Sequence, residues 1–239
     1  MQDQGYTYLR THRYERKFLV EDLRPFQVTA LIKQHPHMFR APYPPRYVNN
    51  LYLDTVDLAN YFDNVDGAMQ RRKVRVRWYG EPFGEIPRPM LEIKVKEGAV
   101  GTKHTYPLAA FNFDTWFCDR VFQDSLSNSE LPPKVRFDLK GMNVVLFNRY
   151  YRHYYATVGG DASHDGAFRA TMDTELAFYK VNGSFGNLFA HRQINGKDVV
   201  VELKYEVEQE PQANRVAGFF PFRVTRNSKY VQGIERVYF

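Results

Sequence analysis

The stretch RRKVRVRWYG, residues 71–80, constrains the fold of this chain more than any other feature. Basic residues occupy every second position from Arg71 to Arg77, with Val74 and Val76 between the later ones and Trp78 after the last. Because side chains alternate between the two faces of a β-strand, the stretch predicts a strand with one apolar and one basic face. The basic face carries Arg71, Lys73, Arg75 and Arg77. Like charges this close repel one another, so such a strand needs an anionic partner.

Four further segments show the same period of two, and they are RYERKF (13–18), LEIKVKEG (91–98), FRATMDTEL (168–176) and VVVELKYEVE (199–208). Their charged phases contain acids as well as bases: Arg13, Glu15 and Lys17; Glu92, Lys94 and Lys96; Arg169, Asp173 and Glu175; Glu202, Lys204 and Glu206. A solvated face of an antiparallel sheet is also charged, but it usually mixes its signs between neighbouring strands. The purely basic stretch at 71–77 therefore favours a sheet face that collects anions.

Helical patterns lie between the strand patterns. They occur at residues 21–35, 58–62, 113–123 and 132–141. A strand is predicted at 220–226, with one short helix before it and another after it, at 227–237. Many strands joined mostly by hairpins, with a few helices, predict an α+β domain built on an antiparallel sheet or barrel. A barrel of about eight strands can enclose a small ligand. Its charged faces would then point inward, and flanking helices would cover the apolar faces outside.

The composition of the chain indicates its cellular compartment and the charge of its binding partner. The 239 residues carry a net charge of +6, which favours an anionic partner. Cys118 is the only cysteine, which excludes an intrachain disulfide and a cysteine-based zinc site and indicates a reducing compartment. The first residues contain no apolar signal segment, and no run approaches the roughly 20 apolar residues of a membrane span. We therefore expect a cytoplasmic protein without a membrane span.

Aromatic residues beside basic ones raise the alternative of nucleic-acid binding. The chain contains 19 Phe, 17 Tyr and 2 Trp, and stacking surfaces beside basic grooves bind single strands. Most of these aromatic residues, however, fall in the apolar phase of strands or on helix faces. We expect Tyr150, Tyr151, Tyr154 and Tyr155 on the barrel exterior under a helix. No nucleic-acid partner is therefore expected.

The residue types of the charged phases suit phosphate. The planar guanidinium group of arginine donates two parallel hydrogen bonds to phosphate oxygens, and lysine supplies a compact point charge. Carboxylates among these bases can hold a divalent hard cation through oxygen. A metal ion that bridges phosphate oxygens further offsets charge during phosphoryl transfer.

Several motifs follow one another along the chain: ERKFLV, NNLYLDT, RRKVRVRWYG, LEIKVK, FNRYYR, MDTEL, VVVELKY and SKY. They span about residues 12–232 of a single domain, 1–239. Their order resembles the VTC domain, the polyphosphate polymerase domain of the vacuolar transporter chaperone family and its bacterial relatives. This family is part of the triphosphate tunnel metalloenzyme (CYTH-like) superfamily. The resemblance implies an antiparallel β-tunnel, a divalent metal ion (Mn²⁺ or Mg²⁺), and ATP and inorganic polyphosphate as substrates.

The resemblance also implies roles for individual residues. The implied catalytic phosphate contacts are Arg75, Arg77, Lys94, Arg149, Arg169 and Lys229. The substrate-binding residues expected beside them are Lys17, Lys73, Lys96, Lys103, Lys204 and Ser228, and the expected metal ligands are Glu202 and Glu15. One departure is visible, because the wider superfamily begins with E-x-E-x-K and Arg13 stands here in place of the first glutamate. This departure leaves the metal geometry open.

The resulting expectation is a polymerase that transfers the terminal phosphate of ATP to a growing polyphosphate chain. Two alternatives stay open at this point. One is an inorganic triphosphatase or nucleoside triphosphatase in which water replaces the acceptor, and the other is a non-catalytic polyphosphate-binding module. The membrane helices of the eukaryotic complex are not found in these 239 residues, so a separately encoded membrane protein is a candidate partner.

Overall fold

A computed structural model describes residues 13–98, 100–114, 117, 119–157, 168–181, 192–195 and 198–239 of the chain. Cys118 and residues 1–12 lie outside these ranges. The strands are β1 (Arg13–Val20), β2 (Phe39–Arg40), β3 (Arg46–Asp54), β4 (Gln70–Tyr79), β5 (Gly84–Ile86), β6 (Met90–Glu97), β7 (Val100–Pro107), β8 (Phe111–Phe113), β9 (Asn143–Thr157), β10 (Arg169–Lys180), β11 (Arg192–Asn195) and β12 (Val199–Glu206). The helices are α1 (Pro25–Lys33), α2 (Ala59–Asp66), α3 (Asp119–Ser127), α4 (Pro133–Leu139), α5 (Glu210–Gly218) and α6 (Lys229–Tyr238).

One curled antiparallel sheet forms the body of the fold. Its strands follow the order β1-β12-β10-β9-β3-β4-β6-β7, with β11 paired to β10 and β2 paired to β9. The short strands β5 and β8 pair with each other separately. The eight strands of the main path form an antiparallel half-barrel with flanking helices, which confirms the predicted α+β class.

The register of this sheet places charged side chains of neighbouring strands on one concave face. Near one edge of the sheet, Lys17 of β1 lies opposite Glu202 of β12. Toward the other edge, Arg75 of β4 lies opposite Glu92 of β6. Because the side-chain period of a strand is two, this register carries the whole charged phase of each strand onto the same face.

The convex face of the sheet is apolar and is covered by helices. Val74, Val76 and Trp78 of β4 are buried there in a cluster that includes residues of α3, α4 and β8. A second cluster joins the convex sides of β1, β10 and β12 to α1 and α5. Burial of this face explains the apolar phase of the alternating strands, since apolar area removed from water stabilises a fold by roughly 25 cal/mol per Å².

Helix α6 fills one end of the concave face. Tyr230 of α6 is buried in a third cluster with Leu146 of β9 and Phe178 of β10. Gly233 is required at this contact, because a Cβ atom there would lie 2.5 Å from Leu146 Cδ2 and 2.7 Å from Phe178 Cδ1. The close approach directs the first residue of α6, Lys229, toward the charged part of the concave face.

The structure differs from the sequence-based expectations near the C-terminus. The strand expected at residues 220–226 is not formed, since this segment makes one isolated bridge, between Val224 and Phe18 of β1. The segment crosses the edge of β1 toward the concave face, where Lys17 Nζ donates a hydrogen bond to the carbonyl oxygen of Asn227. Within the described part of the chain, no helix combines the length and apolarity needed to cross a bilayer.

Candidate functional site

The first group of charges on the concave face is the Glu92 centre, formed by Glu92, Arg75, Arg77 and Lys103. Glu92 Oε2 accepts hydrogen bonds from Arg75 Nε and Nη2 at 2.7 and 2.5 Å, and Glu92 Oε1 accepts one from Lys103 Nζ at 2.6 Å. Arg77 Nη1 lies 3.7 Å from Glu92 Oε2. Because β4, β6 and β7 are neighbours in the sheet, one carboxylate orients three cations that belong to a single wall.

These contacts keep the Glu92 carboxyl group ionised. Burial raises its pKa, but the charges of Arg75, Arg77 and Lys103 outweigh burial, and the net pKa lies far below the usual range. The pKa of Arg75 moves the other way, since burial lowers it and the Glu92 carboxylate more than restores it. Arg77 also donates a hydrogen bond from Nε to Asn50 Oδ1 at 2.9 Å. Both arginines are therefore held in fixed orientations toward the space that the concave face surrounds, which we call the lumen.

The tyrosines of β9 divide between the two faces of the sheet. The hydroxyl of Tyr150 accepts a hydrogen bond from Arg77 Nη2 at 3.2 Å, so its buried ring belongs to the concave face. Tyr154 follows the same phase, whereas Tyr151 and Tyr155 alternate to the convex side. The expectation that all four rings lie outside the barrel is therefore wrong for Tyr150 and Tyr154, because strict alternation sends every second ring inward.

The second group of charges is the Asp173–Glu202 centre, formed by Asp173, Glu202, Arg152 and Lys229. Arg152 donates hydrogen bonds from Nε to Asp173 Oδ1 at 2.6 Å and from Nη2 to Asp173 Oδ2 at 2.7 Å. Lys229 Nζ lies 2.5 Å from Asp173 Oδ2 and 3.4 Å from Glu202 Oε1. All four residues are buried. These ion pairs tie the N-terminal end of α6 to β10 and β12.

Lysines surround the Glu202 carboxylate. Lys204 Nζ lies 3.2 Å from Glu202 Oε2, and Lys17 Nζ lies 3.9 Å from Glu202 Oε1. Burial raises the pKa of Glu202, but the ammonium groups of Lys229, Lys204 and Lys17 outweigh burial, and the net pKa lies well below the usual range. Glu202 therefore stays ionised and gathers lysines from β1, β12 and α6.

A loop before α6 connects the two walls of the lumen. On one side, Lys17 Nζ donates to the carbonyl oxygen of Asn227 at 3.0 Å. On the other side, Lys73 Nζ of β4 donates to Ser228 Oγ at 2.8 Å. Ser228 Oγ also caps α6 by accepting a hydrogen bond from the amide of Val231 at 3.4 Å. The lumen thus lies between β1, β4 and this loop, with a lysine on each side.

Lys73 and Lys94 are crowded by other cations. Burial, followed by the charges of Lys17, Arg71 and Arg75, lowers the pKa of Lys73 to about 7. Burial, followed by the charge of Arg75, lowers the pKa of Lys94 to about 7. The Lys94 side chain is nevertheless exposed to the lumen, where solvent screens part of this effect. An anion that enters the lumen would favour the protonated form of both lysines.

Most of the sequence-predicted residues come together on this concave face. They are Lys17, Lys73, Arg75, Arg77, Lys94, Lys103, Lys204, Ser228 and Lys229, together with Glu15 and Glu202. Two others lie at its ends. Lys96 is exposed near the end of β6, opposite Arg71. Arg169 begins β10, where its Nη2 lies 4.0 Å from Glu206 Oε1.

The structure does not bring Arg149 together with this group. It lies on the convex side of β9, where its guanidinium group is 3.6 Å from the centroid of the Tyr47 ring. The arginine of β9 that faces the lumen is Arg152, three residues later and therefore in the opposite phase. Sequence reasoning misses Arg152 because β9 carries aromatic residues in both phases. The available signal is Asp173 on the neighbouring charged strand, since a buried carboxylate requires a basic partner.

The carboxylates of the concave face fit a divalent metal ion only if substrate oxygens supply the rest of its ligands. Within the described ranges, no group of three or more His, Cys, Asp or Glu side chains is placed to hold a metal ion. Glu202 and Glu15 face the lumen, but lysines already lie within ion-pair distance, at 3.2 Å for both Lys204–Glu202 and Lys17–Glu15. Mg²⁺ is commonly held by one or two carboxylates together with substrate phosphates and water, and Mn²⁺ prefers the same oxygen donors. The two glutamates suit that joint coordination.

Comparison with known proteins decides the family. The family model of the VTC domain matches residues 12–238 of this chain. The chain belongs to the VTC domain family. This membership confirms the resemblance carried by the order of the motifs, and it makes the chain a tunnel-fold protein that handles phosphate. No curated protein is significantly similar to the sequence.

Solved structures resemble this VTC domain at low sequence identity. A proposed adenylate cyclase from Bacillus halodurans aligns with a TM-score of 0.50 and 13% identity, over 94% of this chain and 96% of that chain. A proposed adenylate cyclase from Vibrio parahaemolyticus aligns with a TM-score of 0.47 and 14% identity, over 92% of this chain and 97% of that chain. The Bacillus halodurans structure supports the tunnel fold of the VTC domain, and at this identity it supports the fold alone.

Proposed function

We propose that this VTC domain is a polyphosphate polymerase that transfers the terminal phosphate of ATP to inorganic polyphosphate. The observation that supports the proposal best is the excess of lysine and arginine on the walls of one lumen. The carboxylates of the lumen (Glu15, Glu92, Asp173 and Glu202) are each paired with a cation already. Because the cations outnumber them, a polyanion is the ligand that offsets the remaining charge.

The two centres would bind the polyanion in different ways. Arg75 and Arg77 present guanidinium groups, which suit paired hydrogen bonds to phosphate oxygens. Lys73 and Lys94 add point charges to the same wall, while Lys229 offers an ammonium group from the opposite side. The carboxylates orient these cations before the substrate arrives. This preorganisation reduces the reorganisation that would otherwise accompany binding and transfer.

The transfer needs no nucleophile from the protein. A terminal oxygen of the polyphosphate chain forms the new bond to the γ-phosphorus of ATP, while the bond to the β–γ bridging oxygen breaks and ADP leaves. The lumen aligns the two phosphate chains end to end, and its cations offset the charge of the transferred group. A divalent metal ion held by Glu202 and Glu15 together with substrate oxygens would supply further charge compensation.

A single incubation tests this proposal. Purified protein is mixed with ATP and Mn²⁺, and ADP, free phosphate and long-chain polyphosphate are quantified in the same sample. We expect ADP and polyphosphate with little free phosphate. Equal amounts of ADP and free phosphate would identify a triphosphatase instead. Tight binding of tripolyphosphate without ADP formation would identify a polyphosphate-binding module.

Two arginine variants connect this activity to the concave face. Arg77→Gln removes a guanidinium group from the lumen, and we expect polymer formation to fall by about a hundredfold or more, as for the loss of one preorganised donor. Arg149→Gln is the matched control, because Arg149 lies on the convex face. We expect the control to retain activity within about threefold, as for other substitutions away from the reaction. Equal losses in both variants would contradict the assignment of the lumen.

A further inference from the structure

An arginine and three tyrosines form a group at the rim of the concave face, where β3 begins and β4 ends. The Arg46 guanidinium group lies 3.8 Å from the centroid of the Tyr79 ring and 5.4 Å from the centroid of the Tyr154 ring. Arg46 Nε also donates a hydrogen bond to the hydroxyl of Tyr154 at 3.1 Å. Tyr43 meets the Tyr154 ring edge-on, with 6.1 Å between centroids. We refer to Arg46, Tyr79 and Tyr154 as the rim platform.

The rim platform adjoins the proposed phosphate contacts. Tyr79 follows Arg77 by two residues on the same face of β4, which places the two Cα atoms about 7 Å apart along the strand. Arg46 lies opposite Arg152 of the Asp173–Glu202 centre in the pairing of β3 with β9. A ligand held by its phosphates near Arg77 would therefore bring the group attached to them to the rim platform.

The rim platform keeps one large ring, that of Tyr79, open to solvent. Tyr79 is 47% exposed although Arg46 lies over its ring, and Tyr43 is 54% exposed. The other ring of this phase on β9, Tyr150, is 1% exposed. A planar cation stacked on an exposed ring makes a flat surface on which a further planar group can stack. The apolar face of that group would leave water at the same time.

We propose that the rim platform binds the base of the nucleoside triphosphate whose phosphates occupy the lumen. The inference rests on the proposed function, because it takes a nucleoside triphosphate as the phosphate donor. Stacking on tyrosine and arginine tolerates every base, since each base presents a π-face. The platform therefore distinguishes a nucleotide from an inorganic phosphate chain and favours the larger purine rings over pyrimidines.

A polyphosphate chain at the same rim would use the platform differently. It would interact with the charge of Arg46 and would gain nothing from the Tyr79 ring. Removing the ring while keeping Arg46 thus separates a base site from a simple extension of the phosphate tunnel. Tyr79→Leu makes this change, and Tyr79→Phe keeps the ring without its hydroxyl. Tyr14→Leu is the matched control, because Tyr14 is also 47% exposed and lies on the convex face of β1.

Calorimetric titration of each variant with ATP and, separately, with tripolyphosphate tests the inference. We expect Tyr79→Leu to weaken ATP binding by about tenfold, which is within the range for one base–aromatic stack, and to leave tripolyphosphate binding within twofold. Tyr79→Phe and Tyr14→Leu should bind both ligands as the wild type does. Equal weakening of both ligands by Tyr79→Leu, or no change in either, would overturn the base site. Wild-type protein that binds neither ligand would overturn the proposed function and this inference with it.

Discussion

The Glu92 centre and the Asp173–Glu202 centre hold their cations in different structural contexts. Glu92 binds Arg75, Arg77 and Lys103 within three neighbouring strands. Asp173 and Glu202 instead bind Lys229, which belongs to α6. Lys103 remains 32% exposed in the first centre, whereas Lys229 is 7% exposed in the second. The first centre orients side chains of one wall, and the second also fastens a helix.

Because of this difference, we expect substitutions in the Glu92 centre to affect mainly ligand binding, and substitutions in the Asp173–Glu202 centre to affect folding stability as well. A change in the Glu92 centre loosens side chains of one wall, of which Lys103 is 32% exposed. A change in the Asp173–Glu202 centre leaves buried charges without a partner, which costs far more than the loss of an exposed ion pair. The same cation, Lys229, is also a proposed phosphate contact. Part of the substrate site is therefore coupled to the docking of α6.

The largest expected effect is on stability and comes from Asp173→Asn. Arg152 and Lys229 would lose the shared buried carboxylate, and the free energy of unfolding should fall by about 3–5 kcal/mol. Glu92→Gln is the matched variant in the other centre, and it should cost less than half as much because Lys103 is partly exposed and this carboxylate holds no helix in place. Urea denaturation of both variants measures the difference. Equal losses would remove the distinction between the two centres.

The next effect is on turnover and comes from Glu202→Gln. Loss of this carboxylate should abolish metal-dependent ADP formation, with a decrease of at least about a hundredfold. Tripolyphosphate binding should persist, because removing a negative charge does not weaken a cationic lumen. Glu210→Gln is the control, since Glu210 pairs with Arg16 on the outside of the sheet at 2.7 Å. Full activity of Glu202→Gln would contradict the assignment of Glu202 as a metal ligand.

The smallest expected effect concerns Lys73, which faces the Ser228 cap of α6 across the lumen. Its pKa is lowered to about 7 by burial and neighbouring cations, so the charge is unfavourable in the free protein. Lys73→Met should therefore raise the melting temperature and weaken tripolyphosphate binding by about tenfold, as for a charge-assisted hydrogen bond. Lys134→Met, at an exposed position of α4, should change neither. A lower melting temperature for Lys73→Met would contradict the account.

The same lysines predict a pH dependence with a definite sign. The unfolded state binds more protons than the folded state between pH of about 7 and the ordinary lysine pKa of about 10.4, so stability of the free protein should rise over that window. Tripolyphosphate binding should weaken over the same window as Lys73 and Lys94 lose their protons. The ligand itself gains negative charge with pH, which acts in the opposite direction. Because the ligand term is common to all variants, the affinity of the wild type should depend on pH more unfavourably than that of Lys73→Met, and identical pH dependences would contradict the predicted role of Lys73.

The sequence predicts the strands of this fold better than it predicts which face of each strand is used. In β4 the two phases differ in chemistry, so the inward direction of Arg75 and Arg77 follows from the pattern once the apolar phase is buried. In β9 both phases are aromatic, and the pattern does not tell Arg149 from Arg152. The correct choice requires knowing that Asp173 lies beside Arg152, which is a fact of sheet register.

The end of the chain shows a second limit of sequence reasoning. The helix at residues 227–237 is predicted from its pattern, and its capping serine is found among the expected phosphate contacts. Its place inside the half-barrel is not predictable, because it depends on the close approach of Gly233 to Leu146 and Phe178. The preceding segment, 220–226, has the composition of a strand, but it crosses the edge of the sheet at β1 and so brings α6 into position. Long-range packing decides both features.

A crystal structure of the protein with tripolyphosphate would test the central claim most directly. We expect phosphate groups in the lumen, within hydrogen-bond distance of Arg77 on one wall and Lys229 on the other. Lys73 would then turn from Ser228 toward a phosphate oxygen. Phosphate bound beside Arg149 on the convex face, with an empty lumen at saturating ligand, would contradict the account.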